Sequence, residues 1–178
     1  MISISLVHAD DKREIKTKLL LEKILSEYDL SDLIYTEEII IDRESIPHSH
    51  PVLTLHTRHG KQKFLLLSTF IHEQIHWYLS SKLDKTKDAI EQFKILYPEV
   101  PVGFPEGSPN EYGTYLHLVV NYLEYEVLKT LVGQEKAKEI IVFWSDDHYT
   151  WIYQQVLDNY DEIKRVVENR SEERRVGK

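Results

Sequence analysis

The pattern of hydrophobic and polar residues predicts strands and one helix in the first half of this chain, and helices from about Thr69 onward. In the first half, short apolar and β-branched runs predict strands and a hairpin. The strands are predicted at Ile2–His8 and Leu33–Ile41, and the hairpin pairs Val52–Thr57 with Lys63–Leu67 around a turn at residues 58–61. Between the first two strands, Asp10 or Asp11 is placed to cap an amphipathic helix that extends to about Tyr28.

The second half has the apolar spacing of helices. After a helix that begins near Thr69, four more are predicted, at Lys85–Tyr97, Glu111–Leu131, Gln134–Trp144 and Asp146 to about Tyr160. Gly133 ends the longest, and Ser145 is placed to cap the last. Residues 98–110 contain four prolines and two glycines and predict an irregular loop. The fold class is therefore predicted to be α+β: a small N-terminal β-sheet, then a mostly helical half, with the Thr69 helix between them.

That intervening helix carries an H-E-x-x-H motif, His72-Glu73-Gln74-Ile75-His76. Histidines four residues apart lie on one face of a helix, where both imidazoles can bind one Zn²⁺. Glu73 borders the same site and can hold and deprotonate a metal-bound water. The sequence thus predicts that His72 and His76 are zinc ligands and that Glu73 is the catalytic base. The alternative interpretation is a helix with two neighbouring histidines and no metal.

A third zinc ligand is expected on the long apolar helix at Glu111–Leu131, because catalytic zinc usually takes three protein ligands and a water. Its few polar residues include His117, Asn121 and Glu124, which share one face. We expect His117 to be the ligand, since neutral imidazole suits zinc, with Asn121 steadying it from one turn away. Glu124 lies about 10 Å further along the helix, and we expect it to orient another ligand or a substrate group.

A hydrogen-bond donor for the oxyanion of the tetrahedral intermediate is also expected. The segment Asp147–Tyr153 is the richest source of such donors. We predict that His148 is this catalytic residue. Tyr149 and Tyr153 are alternatives. The other interpretation is that His148 is a surface residue in the first turn of a helix and the tyrosines pack.

The motif and the order of the elements resemble the zincins, the superfamily of zinc-dependent peptidases with H-E-x-x-H on a central helix. The resemblance is specific over His72–His76 and coarse elsewhere. It implies a compact zinc metallopeptidase in which an edge strand before this helix holds the peptide substrate in extended form. The metzincin branch does not fit, because Leu79 and Lys82 stand where its glycine and third histidine belong and the only methionine is Met1.

The gluzincins, a zincin branch whose third zinc ligand is glutamate, imply a different third ligand. Glu124 could fill that role. So could Glu111, because Asn110-Glu111-Tyr112-Gly113-Thr114 loosely resembles their N-E-x-x-A motif. His117, Glu124 and Glu111 therefore stay open as third ligands at the level of sequence.

Length, charge and composition narrow the range of possible functions further. The 178 residues contain no cysteine, which fits a cytoplasmic protein and rules out thiolate zinc ligands. A net charge of −8 argues against a nucleic-acid partner, and no apolar run is long enough for a membrane partner. We expect one domain over residues 1–169. Residues 170–178 resemble a translated sequencing adapter, and we expect this tail to make few core contacts.

These observations predict a zinc-dependent hydrolase, a peptidase acting on a peptide or protein substrate. The expected mechanism is attack of zinc-activated water on an amide. Two alternatives remain. One is a non-catalytic, zinc-stabilised binding domain, and the other is a hydrolase of non-peptide amides.

Overall fold

The chain divides into two compact units, Met1–Ser81 and Lys82–Lys178, which we call the N-terminal and C-terminal units. The computed structural model describes residues 2–168 of the chain. The predicted adapter-like tail at 170–178 lies outside the described residues, and the prediction of one domain over 1–169 stays a prediction. The α+β class is confirmed: strands are confined to the N-terminal part of the described chain, and helices follow.

The N-terminal unit contains a small sheet of three parallel strands in the order β1 (Ser3–Leu6), β2 (Glu38–Ile41) and β3 (Leu53–Leu55). Ile39 at the centre of the sheet pairs with Ile4 on one side and Leu53 on the other. The apolar side chains of β2 and β3 form the core of the unit, because Ile39, Ile41, Leu53 and Leu55 are all buried. The predicted strands at Ile2–His8 and Leu33–Ile41 are thus confirmed in shorter form.

Helix α1 (Lys12–Glu27) connects β1 to β2, and this crossover allows the two strands to run parallel. The Asp11 carboxylate accepts hydrogen bonds from the backbone N–H groups of Arg13 and Glu14. The predicted cap and helix are therefore confirmed. Leu21 and Ile24 on the inner face of the helix are fully buried.

The predicted hairpin is wrong in its second half. Lys63–Leu67 forms the first turns of α2 (Lys63–Ser80), which begins six residues before the predicted Thr69. A short apolar run fits a buried helix as well as a strand by periodicity alone. Here the apolar positions continue as far as Leu79, and this length favours a helix.

The C-terminal unit consists of helices α3 (Leu83–Leu96), α4 (Glu111–Val132), α5 (Gln134–Ser145), α6 (Thr150–Asp158) and α7 (Tyr160–Glu168). The predicted helices corresponding to α3, α4 and α5 are confirmed within two residues at each end. Gly133, at φ 82°, separates α4 from α5, and this backbone angle favours glycine. No helix within residues 2–168 combines the length and the apolarity needed to cross a membrane.

The start of α6 differs from the prediction. Ser145 does not cap it; Ser145 ends α5, and its hydroxyl donates to the Val142 carbonyl at 2.8 Å. The backbone N–H of Asp147 still bonds back to α5, to the Trp144 carbonyl at 2.9 Å. The residue before α6 is Tyr149, which has left-handed backbone angles, φ 51° and ψ 37°.

The proline-rich loop at residues 98–110 is irregular, as predicted, and hydrogen bonds tie it to two helices. The Thr114 hydroxyl on α4 donates to the Pro101 carbonyl at 2.9 Å and accepts from the Ser108 N–H at 3.0 Å. The Pro105 carbonyl accepts from the N–H of Thr150 at 3.0 Å. The loop therefore links the first turn of α4 to the first residue of α6 inside the C-terminal unit.

Candidate metal centre

Two predicted ligands and the predicted base lie on α2, in the N-terminal unit. The rings of His72 and His76 are neighbours, with centroids 5.1 Å apart and planes inclined by 60°. His72 is 8% exposed and Glu73 is 6% exposed. Polar groups this deeply buried need hydrogen-bonding or metal partners. Five consecutive residues thus bring two imidazoles and a carboxylate to one helix, where His72 and Glu73 are buried and His76 is half-buried.

Gln74, inside the H-E-x-x-H motif, fixes the orientation of α2. Its side-chain oxygen accepts from the N–H groups of Tyr35 at 2.8 Å and Thr36 at 3.0 Å. Its side-chain nitrogen donates to the Thr36 carbonyl at 2.9 Å. Gln74 is 1% exposed, so these hydrogen bonds are shielded from water. They fix the rotation of α2 about its own axis. The direction in which His72 and His76 point is therefore set partly by Gln74.

The segment His48–Pro51 packs against the second half of α2. The Trp77 indole N–H donates to the Ser49 carbonyl at 2.7 Å, and the His50 ring stacks on Trp77 with centroids 4.2 Å apart. This histidine-containing segment, which sequence alone did not connect to the motif helix, helps to hold that helix.

The same segment covers the outer edge of β3. The N–H of His48 donates to the Thr54 carbonyl at 3.1 Å, and the Thr54 N–H donates to the His48 carbonyl at 2.8 Å. An extended peptide could pair with Thr54 only by displacing His48. The zincin resemblance implies an edge strand that pairs with an extended peptide substrate. At Thr54 the edge of β3 is already paired with His48 and is not open to a substrate.

In the C-terminal unit, α4 carries the predicted polar stripe. His117, Asn121 and Glu124 are 8%, 0% and 1% exposed, respectively. Nδ1 of His117 lies 2.7 Å from the carbonyl oxygen of Gly113. A carbonyl only accepts, so Nδ1 carries the proton and, in the neutral ring, Nε2 carries the lone pair. This tautomer suits a zinc ligand.

The prediction that Asn121 supports His117 is wrong. The Gly113 carbonyl provides that support, from one turn before His117. The side-chain oxygen and nitrogen of Asn121 are buried and have no hydrogen-bond partner within residues 2–168. Spacing places Asn121 on the same face as His117, but it does not specify which polar group the histidine contacts.

The two glutamates proposed as alternative ligands occupy different surroundings. Glu124 is buried, and its Oε2 accepts a hydrogen bond from the Tyr153 hydroxyl at 2.9 Å. Glu111 is the first residue of α4 and is exposed. Since the Tyr153 proton points at Glu124, Tyr153 is poorly placed to stabilise an oxyanion.

His148 is held by a carboxylate and by aromatic rings. Its Nδ1 lies 2.9 Å from Asp147 Oδ2, and its side chain is 33% exposed. Its ring centroid lies 5.0 Å from that of Trp144 and 6.0 Å from that of Tyr153. An ionised carboxylate accepts only, so Nδ1 of His148 carries a proton. His148 is therefore a half-buried, oriented imidazole and not a solvated surface residue.

Tyr149 contacts both histidines of the C-terminal unit. Its ring centroid lies 4.3 Å from that of His117 and 5.1 Å from that of His148. The sequence indicates Tyr149 as an alternative donor, but it does not predict the contact between Tyr149 and His117. The two residues are far apart in the chain, and only the concentration of histidine and aromatic residues after Ser145 gave any signal.

A second group of metal-ligand side chains lies in the N-terminal unit. Atoms of His8, Glu14 and Asp42 that could bind a metal lie within 4.8 Å of one another. The Glu14 carboxylate, however, accepts from the His8 N–H at 2.7 Å, His8 Nδ1 at 2.8 Å and the Arg43 N–H at 3.0 Å. Burial would raise the pKa of Glu14, but these hydrogen bonds outweigh it and lower the pKa. We interpret this group as structural.

No protein-family model, curated protein or solved structure matches this chain. A functional proposal therefore rests on the residues of the chain and their geometry.

Proposed function

We propose that the protein is a zinc-dependent hydrolase in which His72, His76 and His117 bind one zinc ion. The observation that carries this proposal is the pair of adjacent imidazoles on α2, with the buried Glu73 next to His72 in the chain. Three histidines and one water form a frequent ligand set of catalytic zinc. Glu124, whose Oε2 accepts the Tyr153 hydroxyl, is the alternative third ligand.

The donor chemistry of these residues fits zinc. The Gly113 carbonyl fixes the His117 tautomer, as partners of metal-bound histidines usually do. His72 and His117 are buried, and imidazole nitrogen is a preferred ligand of zinc. When bound, zinc would supply Lewis-acid chemistry, which acidifies a water molecule and polarises the substrate carbonyl.

The residues of the chain would then move the protons. Glu73 accepts a proton from the attacking water and delivers it to the leaving nitrogen. His148 donates a hydrogen bond to the substrate oxygen that gains negative charge. The Asp147 carboxylate, 2.9 Å from Nδ1, orients this imidazole and stabilises its protonated form.

The bond cleaved is an amide, and we propose a peptide or protein substrate. The covered edge of β3 favours a second candidate, a non-peptide amide. A peptide held along that strand would need the Thr54 backbone groups that His48 occupies. Peptide binding would therefore have to use another surface, whereas a small amide needs no strand edge.

The test compares wild type with Glu73→Gln and with the double variant His72→Ala, His76→Ala. We expect wild type to bind about one zinc per chain, measured by elemental analysis after dialysis, and the double variant to lose it. Glu73→Gln should keep zinc but hydrolyse a peptide library and a panel of small amides at least about 100-fold more slowly than wild type.

Three outcomes would contradict parts of this proposal. Stoichiometric zinc in the double variant would remove His72 and His76 as ligands. Undiminished turnover in Glu73→Gln would remove Glu73 as the base. Zinc-loaded wild type that cleaves nothing in either panel would instead support a zinc-stabilised binding domain.

A further inference from the structure

Tyr149 has an unusual backbone conformation. It is the only non-glycine residue with positive φ among the described residues, at φ 51° and ψ 37°. This region is sterically disfavoured for residues with a Cβ and is rare for large side chains. Such conformations persist where the surrounding structure enforces them, and they concentrate at functional sites.

The backbone around Tyr149 is fixed on both sides. The His148 N–H before it donates to the Trp144 carbonyl of α5 at 3.1 Å. The Thr150 N–H after it donates to the Pro105 carbonyl of the proline-rich loop at 3.0 Å. The Tyr149 carbonyl itself accepts from the Tyr153 N–H at 2.9 Å in α6. These bonds hold the chain in the disfavoured conformation and so fix the direction of the Tyr149 side chain.

That direction brings the Tyr149 ring against two imidazoles. Its centroid is 4.3 Å from that of His117, with planes inclined by 42°, and 5.1 Å from that of His148. The Gly113 carbonyl holds Nδ1 of His117, and Asp147 holds Nδ1 of His148. Each imidazole is thus held by an oxygen at one nitrogen and contacts the same aromatic ring.

We infer that Tyr149 is a positioning residue that fixes the His117 ring relative to the His148 ring. The inference rests on the proposed function, in which His117 binds zinc and His148 donates to the substrate oxygen. Contact with a flat ring adds to the hydrogen bond at Nδ1 in limiting the tilt of each imidazole. Metal–ligand distances tolerate changes of only about 0.2 Å, so a loosened His117 should bind zinc more weakly.

The experiment compares Tyr149→Phe, Tyr149→Leu and Tyr149→Asn. Phenylalanine keeps the ring and removes the hydroxyl. Leucine keeps apolar volume without a ring, and asparagine removes the ring but tolerates positive φ, which keeps the test informative if Tyr149→Leu fails to fold. Zinc affinity is measured by chelator competition and the coordination environment by the absorption spectrum of the Co²⁺-substituted protein.

We expect Tyr149→Phe to stay within about 3-fold of the wild-type affinity and the two ring-deletion variants to lose about 10-fold, the lower range for partners of metal ligands. Their Co²⁺ spectra should also change. The matched control is Tyr112→Leu, which removes a half-exposed tyrosine from α4 and should leave affinity unchanged.

Wild-type affinity in a folded ring-deletion variant would overturn the inference. Equal loss in Tyr149→Phe would also overturn it, because the hydroxyl and not the ring would then be responsible. Failure of the proposed function would give a different result. The single variant His117→Ala, in which Tyr149 is unchanged, would then bind zinc as tightly as wild type.

Discussion

At the scale of single residues, one neighbouring oxygen determines the chemistry of each key imidazole in the C-terminal unit. The Gly113 carbonyl places the proton of His117 on Nδ1, and the Asp147 carboxylate does the same for His148. In both rings Nε2 therefore lies on the side of the ring that faces away from this oxygen. The carbonyl fixes which nitrogen of His117 carries the proton, whereas the carboxylate also makes a charge-assisted hydrogen bond to His148.

The choice between His117 and Glu124 can be tested by zinc affinity. His117→Ala removes a proposed ligand and should weaken zinc binding by more than about 100-fold, beyond the usual range for loss of an orienting partner. Glu124→Gln should cost about 10-fold or less. Chelator competition measures the zinc affinity of both variants. The matched control is Tyr153→Phe, which removes the donor of the hydrogen bond to Glu124 and leaves the glutamate in place. The reverse order of effects would identify Glu124 as the ligand.

Which residues lie next to one another on the face of a helix could be predicted from sequence. His72 and His76 are adjacent because helical periodicity fixes their separation. Contacts that depend on tertiary structure could not be predicted in this way. Tyr149 contacts His117 because of a backbone conformation that no periodic pattern encodes. The lack of a hydrogen-bond partner for the Asn121 side chain within residues 2–168 depends on what surrounds α4.

At the scale of elements, the helices were predicted correctly where a capping residue and the length of the apolar pattern indicated the same helix end. Asp11 caps α1, and Gly133 ends α4, as the sequence indicates. Errors occurred where local signals were ambiguous. The apolar run Lys63–Leu67 matched a strand but belongs to α2, and Ser145 matched a helix cap but bonds back into α5. In the first case the apolar run continues to Leu79 and so has the length of a helix, and in the second the hydroxyl bonds to the Val142 carbonyl of its own helix.

The attachment of α2 to the segment before β2 gives an element-scale prediction. Gln74→Leu removes three hydrogen bonds to Tyr35 and Thr36 and leaves their backbone groups without those partners. We expect the free energy of unfolding to fall by about 1–3 kcal/mol, measured by urea denaturation. Ser80→Ala, at an exposed position of the same helix, is the control and should change it by less than about 0.5 kcal/mol. Equal stability of Gln74→Leu and wild type would show that this attachment contributes little.

At the scale of the whole molecule, stability should depend on pH through Glu14. Its pKa is lowered by the His8 and Arg43 hydrogen bonds, which outweigh the opposing effect of burial. A carboxyl with a lowered folded-state pKa stabilises the protein above its unfolded-state pKa of 4.5, and this contribution is lost as pH falls through the folded-state value. Stability should therefore decline on acidification below about pH 4.5.

The matching variant is Glu14→Gln, which cannot ionise. At pH 7 it should be less stable than wild type by about 2 kcal/mol, because charge-assisted hydrogen bonds are lost. The difference should shrink as the pH falls below 4.5, in urea unfolding measured across the pH range. Glu99→Gln, at an exposed loop position, should follow the wild-type profile. A difference that is constant with pH would show that ionisation of Glu14 does not stabilise the fold.

Zinc itself should stabilise the molecule, because a ligand that binds only the folded chain raises its stability with concentration. At free zinc of about 100 times the dissociation constant, the gain is about 2.7 kcal/mol. For a chain of this size, each kcal/mol corresponds to about 2–4 °C, so zinc should raise the melting temperature by about 5–10 °C. Differential scanning fluorimetry with zinc and with a chelator measures this shift.

Two variants separate the proposed centre from other metal binding. Glu73→Gln keeps all three proposed ligands and should show the full zinc-dependent rise in melting temperature. The double variant His72→Ala, His76→Ala should show almost none, because two ligands are lost together. A full rise in the double variant would place the metal elsewhere, and the group of His8, Glu14 and Asp42 would be the next site to examine. In that case Glu14→Gln should abolish the rise while the histidines of α2 remain intact.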